Sequence, residues 1–259
     1  MIHVLTVHHR SARWIDVQAG YLRRHLAVPY RTYASLEGID ERWHDRFDVV
    51  VPSAGRHAGK LNLLARVALD EADPDDLLMF LDGDAFPIAD PVPTVEKALA
   101  TTALVAVRRD ENLGDPQPHP CFCVTTAGTW SGLGGDWSNG PSWTNREGRV
   151  VSDVGATMLW LLDRAGLTWT PLLRSNRRDL HPVLFGVYAG VVYHHGAGYR
   201  TMVTRVDVEA RGIDRRWPGP LGRVVPPVLR AIQDRRNRRL SDEVFEHLAR
   251  DPEFYRRFL

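Results

Sequence analysis

The chain has 259 residues, 44% of them hydrophobic and 25% charged, an ordinary balance for a folded globule holding one large α/β domain or two small ones. Its formal net charge of +1 gives no global positive field, so nucleic acid is excluded as the expected partner. Cys121 and Cys123 lie on one apparent strand and support no disulfide framework, which makes a reducing cytoplasm the expected compartment. The apolar part of the first ten residues is too short for a signal peptide, and the glycine-interrupted run 183–193 is too short for a membrane span.

In chain order, 2–7 reads as an apolar strand, 12–26 as an amphipathic helix, and 29–34 and 47–51 as further strands. A helix over 60–71 carries Leu61, Leu64, Ala65 and Ala68 on one face. Asp73-Pro74-Asp75-Asp76 punctuates before a buried strand at 77–81. A helix over 92–100 and strands at 103–108 and 121–126 follow. Strands alternating with helices indicate βαβ units and a mostly parallel sheet. Residues 128–148, rich in Gly, Ser, Asn and Trp, read as a lid, a binding loop or a disordered segment. A helix over 154–165, a buried strand over 187–193 and, from 214, an arginine-rich tail of two short helices complete the pattern. Ser241 and Asp251 are the expected N-caps of those helices, with Pro252 at a first helical position.

The strand at 77–81 runs straight into Asp82-Gly83-Asp84. Alternate residues of an extended chain share a side, so the two carboxylates project the same way. Held that close they repel unless a cation sits between them, and hard oxygen ligands suit Mg²⁺ or Mn²⁺ together with substrate phosphates. In a parallel sheet, ligands lie beyond the carboxyl ends of the strands, where this pair stands.

Other segments carry candidate binding residues. Gly55-Arg56-His57-Ala58-Gly59-Lys60-Leu61-Asn62 is a basic loop feeding a helix. Arg56 and Lys60 there suit a phosphate, and Asn62 suits a base or ribose. Trp130, Trp137 and Trp143 suit stacking on a sugar face, with one or more serving as core, and His119 suits the border of an acceptor pocket. Asp153 precedes a helix start and reads as its N-cap. Arg235, Arg236, Arg238 and Arg239 read as a solvated face, with contact to an anionic bilayer or acidic acceptor as the other reading.

The buried strand ending in Asp82-Gly83-Asp84, taken with His195 at the end of a later apolar strand, resembles the GT-A family of nucleotide-sugar glycosyltransferases over about residues 2–200. The resemblance implies an α/β, Rossmann-like fold with a mostly parallel sheet flanked by helices, spanning 1–213, and a helical C-terminal extension over 214–259. It implies a hexosyltransferase-like enzyme, dependent on Mn²⁺ or Mg²⁺, that moves a sugar from a nucleotide diphosphate, UDP ahead of GDP, to an acceptor hydroxyl.

By the same resemblance Asp84 is the direct metal ligand, and Asp82 touches the ion, a bound water or the ribose. His195-Gly196-Ala197-Gly198 matches the family's His-x-x-Gly spacing, which makes His195, not His194, the expected third ligand. Asp153 becomes the general base of an inverting enzyme or a sugar-binding carboxylate of a retaining one. Fold analogy puts Thr6 and His8 beside the nucleobase. The rivals are a haloacid-dehalogenase-type phosphohydrolase and a non-catalytic nucleotide-sugar binding module. Against the first, Asp82-Gly83-Asp84 follows about three earlier strands and continues into Ala85-Phe86-Pro87.

Overall fold

The computed structural model describes residues 1–196, 202–213, 215 and 217–259. Its first half comprises β1 (Ile2–His9), α1 (Ile15–His25), β2 (Tyr30–Glu37), β3 (Val49–Val50), α2 (His57–Leu69) and β4 (Leu77–Asp82). Next come β5 (Ala85–Pro87), α3 (Val92–Leu99), β6 (Leu104–Val107), β7 (His119–Thr126) and α4 (Ala127–Leu133). A short hairpin of β8 (Trp143–Thr144) and β9 (Val150–Val151) leads to α5 (Ala156–Ala165) and β10 (Trp169–Leu172). The chain finishes with β11 (Gly186–Tyr188), β12 (Val192–His194), α6 (Arg205–Ala210) and α7 (Leu221–Arg250).

Seven strands form one sheet in the order β10-β6-β7-β4-β1-β2-β3. All neighbours pair in parallel except β7, which runs antiparallel to both β4 and β6. β4 is apolar on both sides because helices cover both faces of the sheet. Leu78 and Phe80 share a core with Leu61 and Leu64 of α2, Trp130 of α4 and Leu162 of α5. Met79 and Leu81 face the other layer, with Leu22 of α1 and Val95 and Ala98 of α3. The expected architecture, a mostly parallel sheet between helices with a C-terminal helix, is the observed one.

Three expectations change. The strand expected over 187–193 is the hairpin of β11 and β12, folded at Ala189 and Gly190, whose φ values of 50° and 68° suit a tight primed turn. β12 pairs antiparallel with β5 as well, giving a three-stranded sheet. The expected loop over 128–148 holds the end of α4 and the first strand of the β8–β9 hairpin, and its Trp137 is fully buried. Asn62 ties this segment to α2, donating to Asp136 at 2.5 Å and accepting from the Trp137 amide at 3.0 Å.

The C-terminal segment is one 30-residue helix, α7, and a 3-10 turn at Phe254–Phe258. Ser241 lies inside α7, and Asp251 ends it. The inward positions Gln233, Asn237, Ser241, Val244 and Leu248 recur every three or four residues, but three of them are polar, which hides the helical period. Val244 and Leu248 share a core with Trp14, Tyr21, Phe86 and Tyr193. The expected boundary residue, Asp214, lies outside the described residues.

Ser241 meets His195, and the other two inward polar residues, Gln233 and Asn237, are explained by Asp207 of α6. It accepts from the Thr204 amide and hydroxyl, Gln233, Asn237 and His181 at 2.8 to 3.2 Å. Burial pushes its carboxyl up, but hydrogen bonds from His181 and Thr204 outweigh this and bring its pKa down to about 2. A depressed carboxyl stabilises the fold above its unfolded pKa, and the contribution is lost as pH falls from about 4 towards 2. Asp207→Asn is expected to lower unfolding free energy by about 2 kcal/mol at neutral pH in urea titrations and to flatten the acid limb. An unchanged acid limb would disprove this role.

Candidate functional site

Asp82 ends β4, and a two-residue turn carries the chain through Asp84 into β5. β12 docks on β5 with His194 opposite Ala85, and the His195 amide donates to the Asp84 carbonyl at 3.0 Å. This register brings His194 Nε2 to 3.5 Å from both Asp82 Oδ2 and Asp84 Oδ1. One ligand atom from each of the three lies within 4.8 Å of the others, and among the described residues this is the one such group that can hold a metal ion. Two carboxylates and an imidazole form a donor set that fits Mn²⁺ well, and Mg²⁺ with more retained water.

The electrostatics of the triad suit a cation. Burial pushes the Asp82 carboxyl up, yet the facing His57 and His194 imidazoles outweigh it and hold it below the ordinary carboxylate value. His57 Nε2 stands 2.9 Å from Asp82 Oδ1. Burial opposes a charge on His194, but the Cys121 sulfur and the Asp84 carboxylate outweigh it and push its pKa well above the ordinary histidine value.

His195, the ligand expected from spacing, is not at this site. It points to the opposite side of the strand, packed on Trp14 in a tilted arrangement at 4.5 Å between ring centroids. Its Nδ1 hydrogen-bonds the Tyr193 hydroxyl at 3.0 Å and its Nε2 the Ser241 hydroxyl at 2.7 Å, so both nitrogens are engaged. Burial brings its pKa down to about 3, and it is neutral at physiological pH. The physical reason is the strand period of two, which separates neighbouring side chains to opposite faces. Of the rest of the expected motif, Ala197 and Gly198 lie outside the described residues.

Thr6 and His8 lie under the site, fully buried, rather than in the pocket. Both donate to Gln18 Oε1 at 3.1 Å. The Gln18 amide in turn donates to the Asp82 carbonyl at 2.9 Å and the Ala85 carbonyl at 2.8 Å. Gln18 therefore clamps the turn that carries both carboxylates. Sequence reading passed over it, although a glutamine at an inward position between Ile15 and Leu22 was the available signal. Burial brings the His8 pKa down to about 4, leaving it a neutral donor.

A pocket of about 340 Å³ opens over the triad, lined among others by His57, Lys60, Arg109, His119, Asp153 and His194. That volume lies in the range of small-molecule sites. Lys60, in the first turns of α2, lines it while paired with Glu37. Arg56 is the exposed N-cap residue of α2 and does not line the pocket. Asn62 is committed to Asp136 and Trp137, so it too is absent from the lining. His57 stands in the basic loop, where Arg56 and Lys60 were preferred to it, and Arg109 stands in no motif; the start of α2 and the loop after β6 bring them here.

Asp153 lines the pocket, but it is not a helix cap. α5 begins at Ala156 with Gly155 as its N-cap. Gly155 has φ 92°, and a Cβ there would meet the Pro118 carbonyl at 2.0 Å, so only glycine fits. This tight turn presents Asp153 to Arg109 Nη2 at 3.4 Å and Arg205 Nη2 at 3.8 Å. A second cavity of about 260 Å³ shares Arg109, Asp153 and His194 and extends to Thr204 and Arg205.

The expected aromatic contacts divide. His119 lines the pocket, its ring centroid 6.0 Å from that of His194. Trp130 is core, packed on Phe80 at 4.6 Å and on Trp137. Trp143 sits half-buried on β8, outside both cavities.

No protein-family model and no curated protein matches the chain. Among solved structures, a mannosyltransferase from Pyrobaculum calidifontis, in complex with GDP-Man and Mn²⁺, overlaps 52% of this chain and 46% of its own at 17% identity and TM-score 0.40. The glycosyltransferase GlyE of Streptococcus pneumoniae overlaps 50% of this chain and 35% of its own at 18% identity and TM-score 0.38. The galactosyltransferase LgtC, in complex with donor and acceptor sugar analogs, overlaps 49% and 59% at 16% identity and TM-score 0.34. The chain thus spans less than half the length of the first two.

Proposed function

We propose that this protein is a divalent-metal-dependent glycosyltransferase that takes a sugar from a nucleotide diphosphate, UDP ahead of GDP, and gives it to an acceptor hydroxyl. The observation that carries the reading is the Asp82, Asp84 and His194 triad on the floor of a pocket whose walls hold Lys60, Arg109 and Asp153. Asp82, Asp84 and His194 would hold Mn²⁺ or Mg²⁺, which supplies Lewis-acid stabilisation of the diphosphate leaving group. Lys60 neutralises further phosphate charge at the start of α2, where the helix dipole also favours an anion. The shared wall of the two cavities is where donor sugar and acceptor meet. There Asp153, oriented by Arg109, accepts the hydroxyl proton if the anomeric centre inverts, and holds the donor sugar if it is retained. His119 borders the acceptor. Nothing in the site favours a phosphohydrolase.

Thermal melting with UDP and GDP, each with and without Mn²⁺, tests the reading. Metal-dependent stabilisation is expected, about 2.7 kcal/mol at a hundredfold excess over Kd. Equal stabilisation without metal would remove the metal site from the proposal. Sugar release from the stabilising nucleotide's sugar conjugates then separates a transferase from a binding module.

A further inference from the structure

The first three turns of α7 are exposed or at most half-buried. No residue from 221 to 232 is buried, whereas from Gln233 onward the inward positions are. Leu221, Val224, Val228 and Ile232 are 50%, 58%, 49% and 53% exposed. Their spacing of three and four residues places them in one row, on the side of the helix opposite the buried Gln233, Asn237, Ser241, Val244 and Leu248. Isolated surface aliphatics are ordinary, but a continuous row of four on one helix face marks a contact surface. Arg235, Arg236 and Arg239 continue the same outward face over the next two turns, all exposed.

The charge of the segment identifies the occupant. Residues 215–239 carry eight arginines and the single acid Asp234, a local charge of +7 in a chain whose net charge is +1. Asp234 is engaged by Arg238 at 2.7 Å and by the Met202 amide at 2.8 Å. Within the helix, residues 221–239 carry six arginines against Asp234, so a second copy of this stretch laid on it would bring +5 against +5, and self-association through this face is opposed. A nucleic acid would satisfy the arginines and leave the aliphatic row in water. An anionic bilayer satisfies both, with apolar side chains entering the acyl boundary and guanidinium groups meeting lipid phosphates. We propose that the outward face of α7, Leu221 to Arg239, is a membrane-surface anchor for anionic lipid. No described helix is long and apolar enough to cross a membrane, so the contact is interfacial. This inference is independent of the proposed reaction.

Co-sedimentation of the full chain with phosphatidylcholine vesicles, with and without phosphatidylglycerol, tests it. Binding to the phosphatidylglycerol vesicles alone, weakened by salt, is expected. Neutralising Arg235, Arg236 and Arg239 to Gln together should lower the partition constant by about a hundredfold. The combined Val224→Gln, Val228→Gln and Ile232→Gln variant should lower it by about tenfold or more, with thermal melting unchanged because these side chains are exposed. No vesicle binding, or binding that ignores the valine and isoleucine changes, overturns the proposal. So does a solution dimer that those changes dissociate, or an oligonucleotide bound equally by that variant and the native chain.

Discussion

Asp84→Asn is expected to lower metal-dependent donor turnover by about a thousandfold, the scale of removing a principal charge stabiliser from an active site. The substitution keeps shape and removes the charge, so the turn is retained. The Asp84 carbonyl still accepts the His195 amide, and Gln18 still clamps the Asp82 and Ala85 carbonyls. Removing one of two facing carboxylates relieves their repulsion but also loses the pairing of Asp84 with His194, so melting of the metal-free variant should change little. Two readouts therefore separate, low turnover with largely intact stability. Near-native turnover in the Asp84→Asn variant would end the metal mechanism; a collapsed melt would show instead that the carboxylate serves the fold.

The second large effect separates the two neighbouring histidines. His194→Ala removes the imidazole that lies 3.5 Å from both carboxylates and should weaken Mn²⁺ binding, read by calorimetry, by about a hundredfold or more. His195→Ala removes the ring packed on Trp14 and the hydrogen bonds to Tyr193 and Ser241, costing about 3 kcal/mol of stability. Its folded fraction should bind Mn²⁺ as the native chain does. Equal loss of Mn²⁺ affinity in both variants would contradict the division of roles.

That division also marks how far the sequence was legible. The carboxylate pair could be read because a central strand covered on both faces is continuously apolar, and β4 ends in the two acids. The histidine could not, because spacing ranks His195 while the face each residue takes depends on which strand β12 pairs with. Trp130 and Trp137 misled for a related reason: polar, glycine-rich neighbours suggested a mobile loop, but Asn62 pins the segment over the core. Arg109 and Gln18 carry no motif; they matter through contacts to residues far away in sequence. The long α7 was hidden by its polar inward face, whose partners Asp207 and His195 are visible only once the chain is folded.

β12 pairs with β5 through three residues, Val192, Tyr193 and His194. In so short a ladder, a one-residue slip turns every side chain to the other face. Slipped one way, the strand would carry His195 to the carboxylates and set Gly196 beneath Trp14. An imidazole would still meet Asp84, while the ring contact with Trp14 and the Ser241 hydrogen bond would be forfeited. In that direction alone, the tandem histidines would let a register slip spoil the packing and still leave a ligand in reach; slipped the other way, Tyr193 would take the place of His194.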